Sequence, residues 1–113
     1  TAYIELEKND SNIEEIFSIQ GISGYIVGPY DLSASMGIPG DFANEKMSVA
    51  LERIKIAAKD YQVPSGIHIV EPDLRELKQR ISEGYRFIAY GVDMRMLDIT
   101  CRLATDQMED QLS

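Results

Sequence analysis

The sequence predicts an α/β fold made of four strand–helix units with parallel strands. Short apolar runs alternate with longer amphipathic segments along all 113 residues. The units recur roughly every 30 residues, which is the length of a βα unit, and the apolar runs are near-continuous, as in parallel strands covered on both faces. Strands joined in this way are parallel, with right-handed crossovers. Since an eightfold barrel needs roughly 250 residues, four units predict half of a (β/α)₈ barrel.

The first unit and the second strand are defined by local signals. A strand is expected at residues 2–6. Ser11 and Glu14 have the capping-box spacing, so a helix should begin there and end near Gly21. The second strand is expected at residues 24–28, because the proline that follows cannot donate a hydrogen bond to the sheet.

The middle of the chain is expected to begin with an irregular loop at residues 32–43. A helix at about residues 44–61 and a strand at 65–70 follow. Pro72 suits the first position of the next helix, which should end at Gly84. The apolar residues expected to be buried are Met47, Leu51, Ile54, Ala58 and Tyr61 on the first helix, and Leu74, Leu77 and Ile81 on the second.

The last unit is a strand at residues 85–90 and a helix at residues 94–112. Asp93 stands between them and could cap the helix or lie near the candidate site, and the cap is favoured. The helix residues expected to pack are Met96, Leu97, Cys101, Leu103 and Met108.

Composition excludes several kinds of protein. The net charge of −8, from 19 acidic and 11 basic residues, argues against nucleic-acid binding, which needs a basic surface. No apolar run approaches the roughly 20 residues that span a bilayer. The single cysteine, Cys101, allows no internal disulfide, which favours a reducing compartment and a cytoplasmic location. Because the chain opens at Thr1 directly before a strand, we expect one domain over residues 1–113 that lacks an amino-terminal half.

Two acidic residues end neighbouring strands. Glu5 closes the first strand, and Asp31 follows the second one. The carboxyl ends of parallel strands form one rim, where α/β folds bind ligands. Because Mg²⁺ prefers carboxylate, water and substrate oxygens, Glu5 and Asp31 are predicted to hold one divalent metal ion. The alternative is that each acid is solvated or caps a helix.

The segment Gly28-Pro29-Tyr30-Asp31 is a candidate substrate site. Glycine lets a ligand approach the backbone, and the amides of Tyr30 and Asp31 could donate hydrogen bonds to a carboxylate. An ordinary turn is the alternative. His68, the only histidine, could be a base or a ligand, but its place inside an apolar strand favours a structural role. Cys101 is expected to be a buried, inert thiol.

These motifs resemble those of the HpcH/HpaI aldolase family, which consists of metal-dependent class II aldolases that act on 2-oxo acids. The resemblance covers nearly the whole chain, and the Gly-Pro-x-Asp-Leu-Ser pattern is its most specific part. The matching segments are residues 3–5, 12–16, 21–37, 64–67 and 84–93.

The resemblance implies a lyase that cleaves a 4-hydroxy-2-oxo acid to pyruvate and an aldehyde. Glu5 and Asp31 match the family's ligands for magnesium, or for manganese or cobalt. Gly28 to Asp31 match its pyruvate-binding segment. The general base belongs to the other half of the barrel, so no catalytic residue is assigned here. The chain would be the carboxyl-terminal half, inactive by itself, from a homo-oligomer such as a hexamer with exchanged carboxyl-terminal helices.

Three departures from the family pattern leave other functions open. Tyr30 stands where the family usually has a small residue, residues 68–71 differ from the usual apolar and small residues, and Val92 replaces the commoner serine. One alternative is an enzyme like the citrate lyase β-subunit or malyl-CoA lyase. Another is a non-catalytic half-barrel that serves as an interaction module through its exposed strand edges.

Overall fold

The computed structural model describes the backbone of residues 2–6 and 12–112, and the side chains of residues 12–109 and 111. Four parallel strands form one sheet in the order β1-β2-β3-β4. The strands are β1 (Ala2–Leu6), β2 (Ile22–Val27), β3 (Ser65–Ile69) and β4 (Phe87–Tyr90). The helices are α1 (Ile13–Phe17), α2 (Pro29–Ser35), α3 (Glu45–Asp60), α4 (Leu74–Ser82) and α5 (Asp93–Leu112).

This architecture confirms the predicted α/β class, with strand and helix alternating and every strand parallel to its neighbour. The boundaries of β1, α3 and β3 agree with the sequence to within one residue. β2 begins two residues earlier than expected, whereas β4 begins two residues later. The expected cap at Ser11 lies outside the described residues, and α1 ends at Phe17, before Gly21.

The core lies between one face of the sheet and the helices. Tyr25, Val27 and Ile67 point from the strands into this core, because alternate side chains of a strand share a face. The buried helix residues packed against them include Ile13, Phe17, Leu32, Met47, Ile54, Ala57 and Ala58.

The opposite face of the sheet, which we call the open face, is less fully buried. Ile26 is half-buried there, and the Phe87 side chain is 45% exposed. The strands were expected to be covered on both faces, and the described residues show this face covered only in part. An apolar strand sequence indicates that both faces of the strand can be buried. It does not indicate which part of the protein covers the second face.

Helix α2 extends to Ser35, so residues 32–35 are helical although an irregular loop was expected at residues 32–43. Pro29 is its first residue, where the fixed φ of proline favours a helix and its missing N–H costs nothing. Leu32 is fully buried and anchors the helix to the core. The glycines and the proline that suggested a loop lie after Ser35, where the helix has already ended.

Helix α4 differs from its prediction in start and in packing. Its cap is Asp73, whose carboxylate accepts a hydrogen bond from the Arg75 N–H at 2.7 Å, so Pro72 lies outside the helix. None of its residues is buried, and Leu74 and Ile81 are 64% and 50% exposed. Periodicity identified residues that share a face, but only Leu77 among the three is half-buried.

Helix α5 projects most of its apolar residues into solvent. Asp93 is its first residue, and the carboxylate accepts a hydrogen bond from the Met94 N–H at 2.7 Å. Cys101 is exposed, so the expectation of a buried thiol is wrong. The residues expected to pack are exposed as well: Met96, Leu97, Leu103 and Met108. Within residues 2–6 and 12–112, no helix has the length and apolar character needed to cross a membrane.

Two buried tyrosines predict an alkaline limit to stability. Burial raises the pKa of Tyr85, and it raises that of Tyr25 although the hydrogen bond to Ser65 partly offsets the effect. Above pH about 10 these phenols ionise more readily in the unfolded chain than in the folded one. The unfolding free energy should therefore be constant near pH 8 and fall above pH 10, by up to about 1.4 kcal/mol per pH unit for each tyrosine.

Urea denaturation between pH 8 and 11.5 measures this loss. Tyr85→Phe removes one of the two ionisable groups, so its stability should fall with a shallower slope above pH 10. An identical slope in the wild type and in Tyr85→Phe would contradict the proposed origin.

Candidate functional site

The carboxyl ends of β1 and β2 bring the two predicted metal ligands to the same rim. The backbone of Glu5 pairs with Ile26, one residue before β2 ends. Asp31 lies in the first turn of α2, which begins at Pro29 directly after β2. The side chain of Glu5 is outside the described residues, so the structure places its backbone at the rim and leaves the joint metal site a prediction.

The Asp31 carboxylate is exposed to solvent at this rim. It has no hydrogen-bond or ion-pair partner among the side chains that the structure describes. Because the first amides of a helix lack intrahelical acceptors, the N–H groups of Tyr30 and Asp31 are also available in the first turn of α2. Their helix is too short to be a strong dipole, but both amides and the carboxylate belong to one turn.

Ser33 fixes the loop that follows this turn. Its side chain is completely buried, and its hydroxyl donates to the Tyr30 carbonyl at 2.9 Å while accepting from the Gly40 N–H at 3.1 Å. The Ile38 N–H donates to the Ser33 carbonyl at 3.0 Å. One small side chain therefore joins the helix that carries Asp31 to the loop over residues 36–43.

Ser33→Ala should lower the unfolding free energy by about 1–3 kcal/mol, because the amide of Gly40 loses its buried acceptor. Hydrogen exchange at the Gly40 amide should become faster. Ser35→Ala is the matched control: its exposed hydroxyl bonds only to the Leu32 carbonyl, so the change should stay within about 0.5 kcal/mol. Equal effects of the two substitutions would contradict the anchoring role.

A pocket between α2, α3 and α4 opens beside the candidate site. Tyr30 and Phe42 form one wall, with their rings edge to face and their centroids 4.8 Å apart. Arg80 also lines this pocket and forms ion pairs with Glu83 and Glu76 at 3.0 and 3.1 Å. Burial lowers the pKa of Arg80, but these two carboxylates outweigh burial and raise it overall. The guanidinium is therefore engaged within the protein rather than presented to an anionic ligand.

A bidentate ion pair joins the end of β3 to α5, and no sequence pattern predicted it. The Arg95 guanidinium contacts both Glu71 oxygens, with Nε and Nη2 each 2.9 Å from one of them. It also contacts Asp98 at 2.7 Å. Hydrogen bonding and charge from Glu71 raise the pKa of Arg95. This pair neutralises Glu71 at the rim and leaves it a poor candidate for a metal ligand.

His68 lies in β3 at the same end of the sheet. Its Nε2 atom is 3.2 Å from the carbonyl oxygen of Gly91, in the turn between β4 and α5. The ring is half-buried. This contact agrees with the structural role that the sequence favoured. The other ring nitrogen, Nδ1, has no hydrogen-bond partner among the described residues.

The residues present fit a hard divalent cation bound by few protein ligands. The described side chains form no cluster of three or more histidine, cysteine or acidic residues, which argues against a zinc-type site within that part of the chain. Mg²⁺ commonly takes only one or two carboxylates and completes its coordination with water and substrate oxygens. Asp31 is exposed, has no partner among the described side chains and lies beside the strand end of Glu5, which meets that requirement.

Comparison with known proteins links this arrangement to one family. The 5-keto-4-deoxy-D-glucarate aldolase of Klebsiella pneumoniae subsp. pneumoniae is 31% identical over 107 residues, covering 95% of this chain and 40% of the aldolase. The 2-keto-3-deoxy-L-rhamnonate aldolase of Escherichia coli is 36% identical over 86 residues, covering 73% and 30%. The chain thus spans less than half the length of these curated relatives.

A solved structure shows the same fold. The HpcH/HpaI aldolase/citrate lyase family protein from Burkholderia cenocepacia J2315 superposes with a TM-score of 0.86 at 29% identity, covering 95% of this chain and 42% of that protein. The family model described as HpcH/HpaI aldolase/citrate lyase matches residues 1–98. The chain therefore belongs to the HpcH/HpaI aldolase/citrate lyase family.

Proposed function

We propose that this chain is the metal-binding, carboxyl-terminal half of a (β/α)₈-barrel class II aldolase. The enzyme would cleave a 4-hydroxy-2-oxo acid to pyruvate and an aldehyde in the cytoplasm. The observation that carries the proposal is the exposed carboxylate of Asp31, which has no partner among the described side chains and lies at the carboxyl rim of a sheet from an aldolase family. The relatives named above support free sugar-derived oxo acids as the substrate class.

Glu5 and Asp31 are the residues that would hold a divalent cation, with Mg²⁺ as the first candidate and Mn²⁺ or Co²⁺ as the others. Such a cation supplies Lewis-acid polarisation of a carbonyl group and a template that orients oxygen ligands. The Asp31 side chain is exposed to solvent, so a cation could reach it from the rim.

The first turn of α2 would bind the carboxylate of pyruvate. Gly28 has no side chain and lets the ligand reach the backbone, Pro29 fixes the start of the helix, and the N–H groups of Tyr30 and Asp31 donate. These two amides lack intrahelical acceptors, so a bound carboxylate satisfies them without breaking an existing bond. The proton-transferring base is assigned to the other half of the barrel.

The exposed apolar residues support a second part of the proposal, which is assembly into a homo-oligomer. Met94, Leu97 and Met108 recur along α5 and are 71%, 68% and 54% exposed. Burial of such residues against another copy would remove apolar surface from water. A non-catalytic interaction module is the competing function that this surface favours.

Pyruvate release decides between these functions. The full-length protein that carries this chain should release pyruvate from 4-hydroxy-2-oxo acids when Mg²⁺ or Mn²⁺ is present, and lose that activity in excess EDTA. A parallel assay with acyl-CoA thioesters tests the citrate lyase-like alternative. An interaction module would cleave neither class of substrate and would oligomerise without taking up metal.

A further inference from the structure

We propose that His68 recognises a hydroxyl group on the aldehyde-derived part of the substrate. The site would then prefer hydroxylated aldehydes to alkyl aldehydes of the same length. This inference rests on the proposed aldolase function and concerns only the part of the substrate that does not become pyruvate.

The strand places His68 on the open face of the sheet. Its neighbours in β3, Ile67 and Ile69, are 1% and 2% exposed and lie on the helix-covered face. Since successive side chains of a strand point to opposite faces, the imidazole of His68 faces the other way. It is only half-buried there.

The register brings His68 beside the candidate substrate segment. Ile67 pairs with Val27, so His68 is level with Gly28, whose backbone is still extended. Neighbouring strands lie about 4.8 Å apart. On its other side His68 pairs with Ala89. Gly28 has no side chain and Ala89 has a short one, so the imidazole lies between two small neighbours, next to the turn that carries Asp31.

The hydrogen bond to Gly91 decides which ring nitrogen is available. A carbonyl oxygen only accepts, so the Nε2 atom at 3.2 Å must carry the proton. In the neutral ring Nδ1 is then an acceptor, and it has no partner among the described residues. A half-buried acceptor gains most from a ligand that donates a hydrogen bond. A hydroxyl group does so, whereas an alkyl chain cannot.

Two substitutions separate this role from a structural one. In His68→Gln the longer amide can place its NH₂ group near the Nε2 position and keep the bond to Gly91. In His68→Asn the shorter amide can place its oxygen near the Nδ1 position and keep an acceptor there, while the bond to Gly91 is lost. His68→Gln should weaken substrate recognition, because it has no acceptor at the Nδ1 position. His68→Asn should lower fold stability, because it loses the bond to Gly91.

The measurement is the condensation of pyruvate with glyceraldehyde and with propanal by the full-length protein. The ratio of kcat/KM for glyceraldehyde to that for propanal should fall about tenfold in His68→Gln, which corresponds to one lost neutral hydrogen bond. The fall should appear in KM for glyceraldehyde. His68→Asn should keep the wild-type ratio but have a lower Tm. An unchanged ratio in His68→Gln, or the same fall in both variants, would overturn the inference while the aldolase function stands.

Imidazole NMR provides a readout that does not depend on activity. Comparison of the full-length protein with its His68→Gln variant assigns the ring-nitrogen signals of His68, because the substitution removes those signals. The neutral ring should show the proton on Nε2, and glyceraldehyde should shift the Nδ1 resonance more than propanal does. A proton on Nδ1, or equal shifts with both aldehydes, would overturn the inference even if no aldolase activity is found.

Discussion

Asp31→Asn is expected to lower the affinity for Mn²⁺ by at least about 100-fold and to lower metal-dependent kcat/KM by a similar factor. Loss of groups that merely support a metal ligand costs 10- to 100-fold, and the carboxylate of Asp31 is proposed as a ligand itself. The fold should survive, because the side chain is exposed and has no partner among the described residues. Removing a negative charge from the first turn of α2 costs only about 0.3–1 kcal/mol.

Asp60→Asn is the matched control. Asp60 is also an exposed carboxylate, but it is the last residue of α3 and belongs to the helix end that precedes β3, so it lies away from the rim. Manganese titration followed by electron paramagnetic resonance gives the affinity of both variants. A wild-type affinity in Asp31→Asn, or an equal loss in Asp60→Asn, would rule out Asp31 as a specific ligand.

Gly66→Ala is expected to destabilise the protein by about 3 kcal/mol or more. Gly66 pairs with Ile26 on one side and with Phe87 on the other. A Cβ atom at this position would press against the carbonyl oxygen of Tyr25 and lie 3.0 Å from both Cδ1 and the carbonyl oxygen of Phe87. Two of these three atoms are backbone, so the strands themselves must separate, which exceeds the usual cost of overpacking a side chain.

Thermal unfolding measures this effect, and the Tm should fall by more than about 10 °C. Gly84→Ala separates crowding from backbone strain. Gly84 has φ +95°, and a Cβ atom there would meet no atom within 4 Å. That variant should lose only the roughly 1–2 kcal/mol of a left-handed backbone. A Gly66→Ala protein no less stable than Gly84→Ala would show that the sheet tolerates the added methyl group.

The order of elements was predictable because its signals are local. Each strand is a short apolar run, and each run ends at a residue such as Gly28 that interrupts it. Helix α2 was missed because its main anchor is tertiary: Leu32 is buried against a core that the sequence of residues 29–35 does not reveal. The exposed faces of α4 and α5 were missed for the same reason, since periodicity does not identify the partner of a face.

The candidate site could be predicted only in part. Parallel topology follows from the alternation of elements, and it brings the strand ends of Glu5 and Asp31 to one rim. The ion pair between Glu71 and Arg95 joins residues 24 positions apart on different elements, so no local pattern signals it. The role of Ser33 was not predictable either, because the presence of a serine in a helix does not indicate that its hydroxyl will bind a distant loop.

A manganese anomalous difference map from crystals of the full-length protein would examine the proposed metal centre directly. We predict one peak at the carboxyl rim, with an oxygen of Asp31 and an oxygen of Glu5 each at about 2.0–2.2 Å, close to the range of hard divalent cations. A peak that contacts only one of these side chains, or a rim that binds no manganese while the protein still releases pyruvate, would contradict the account.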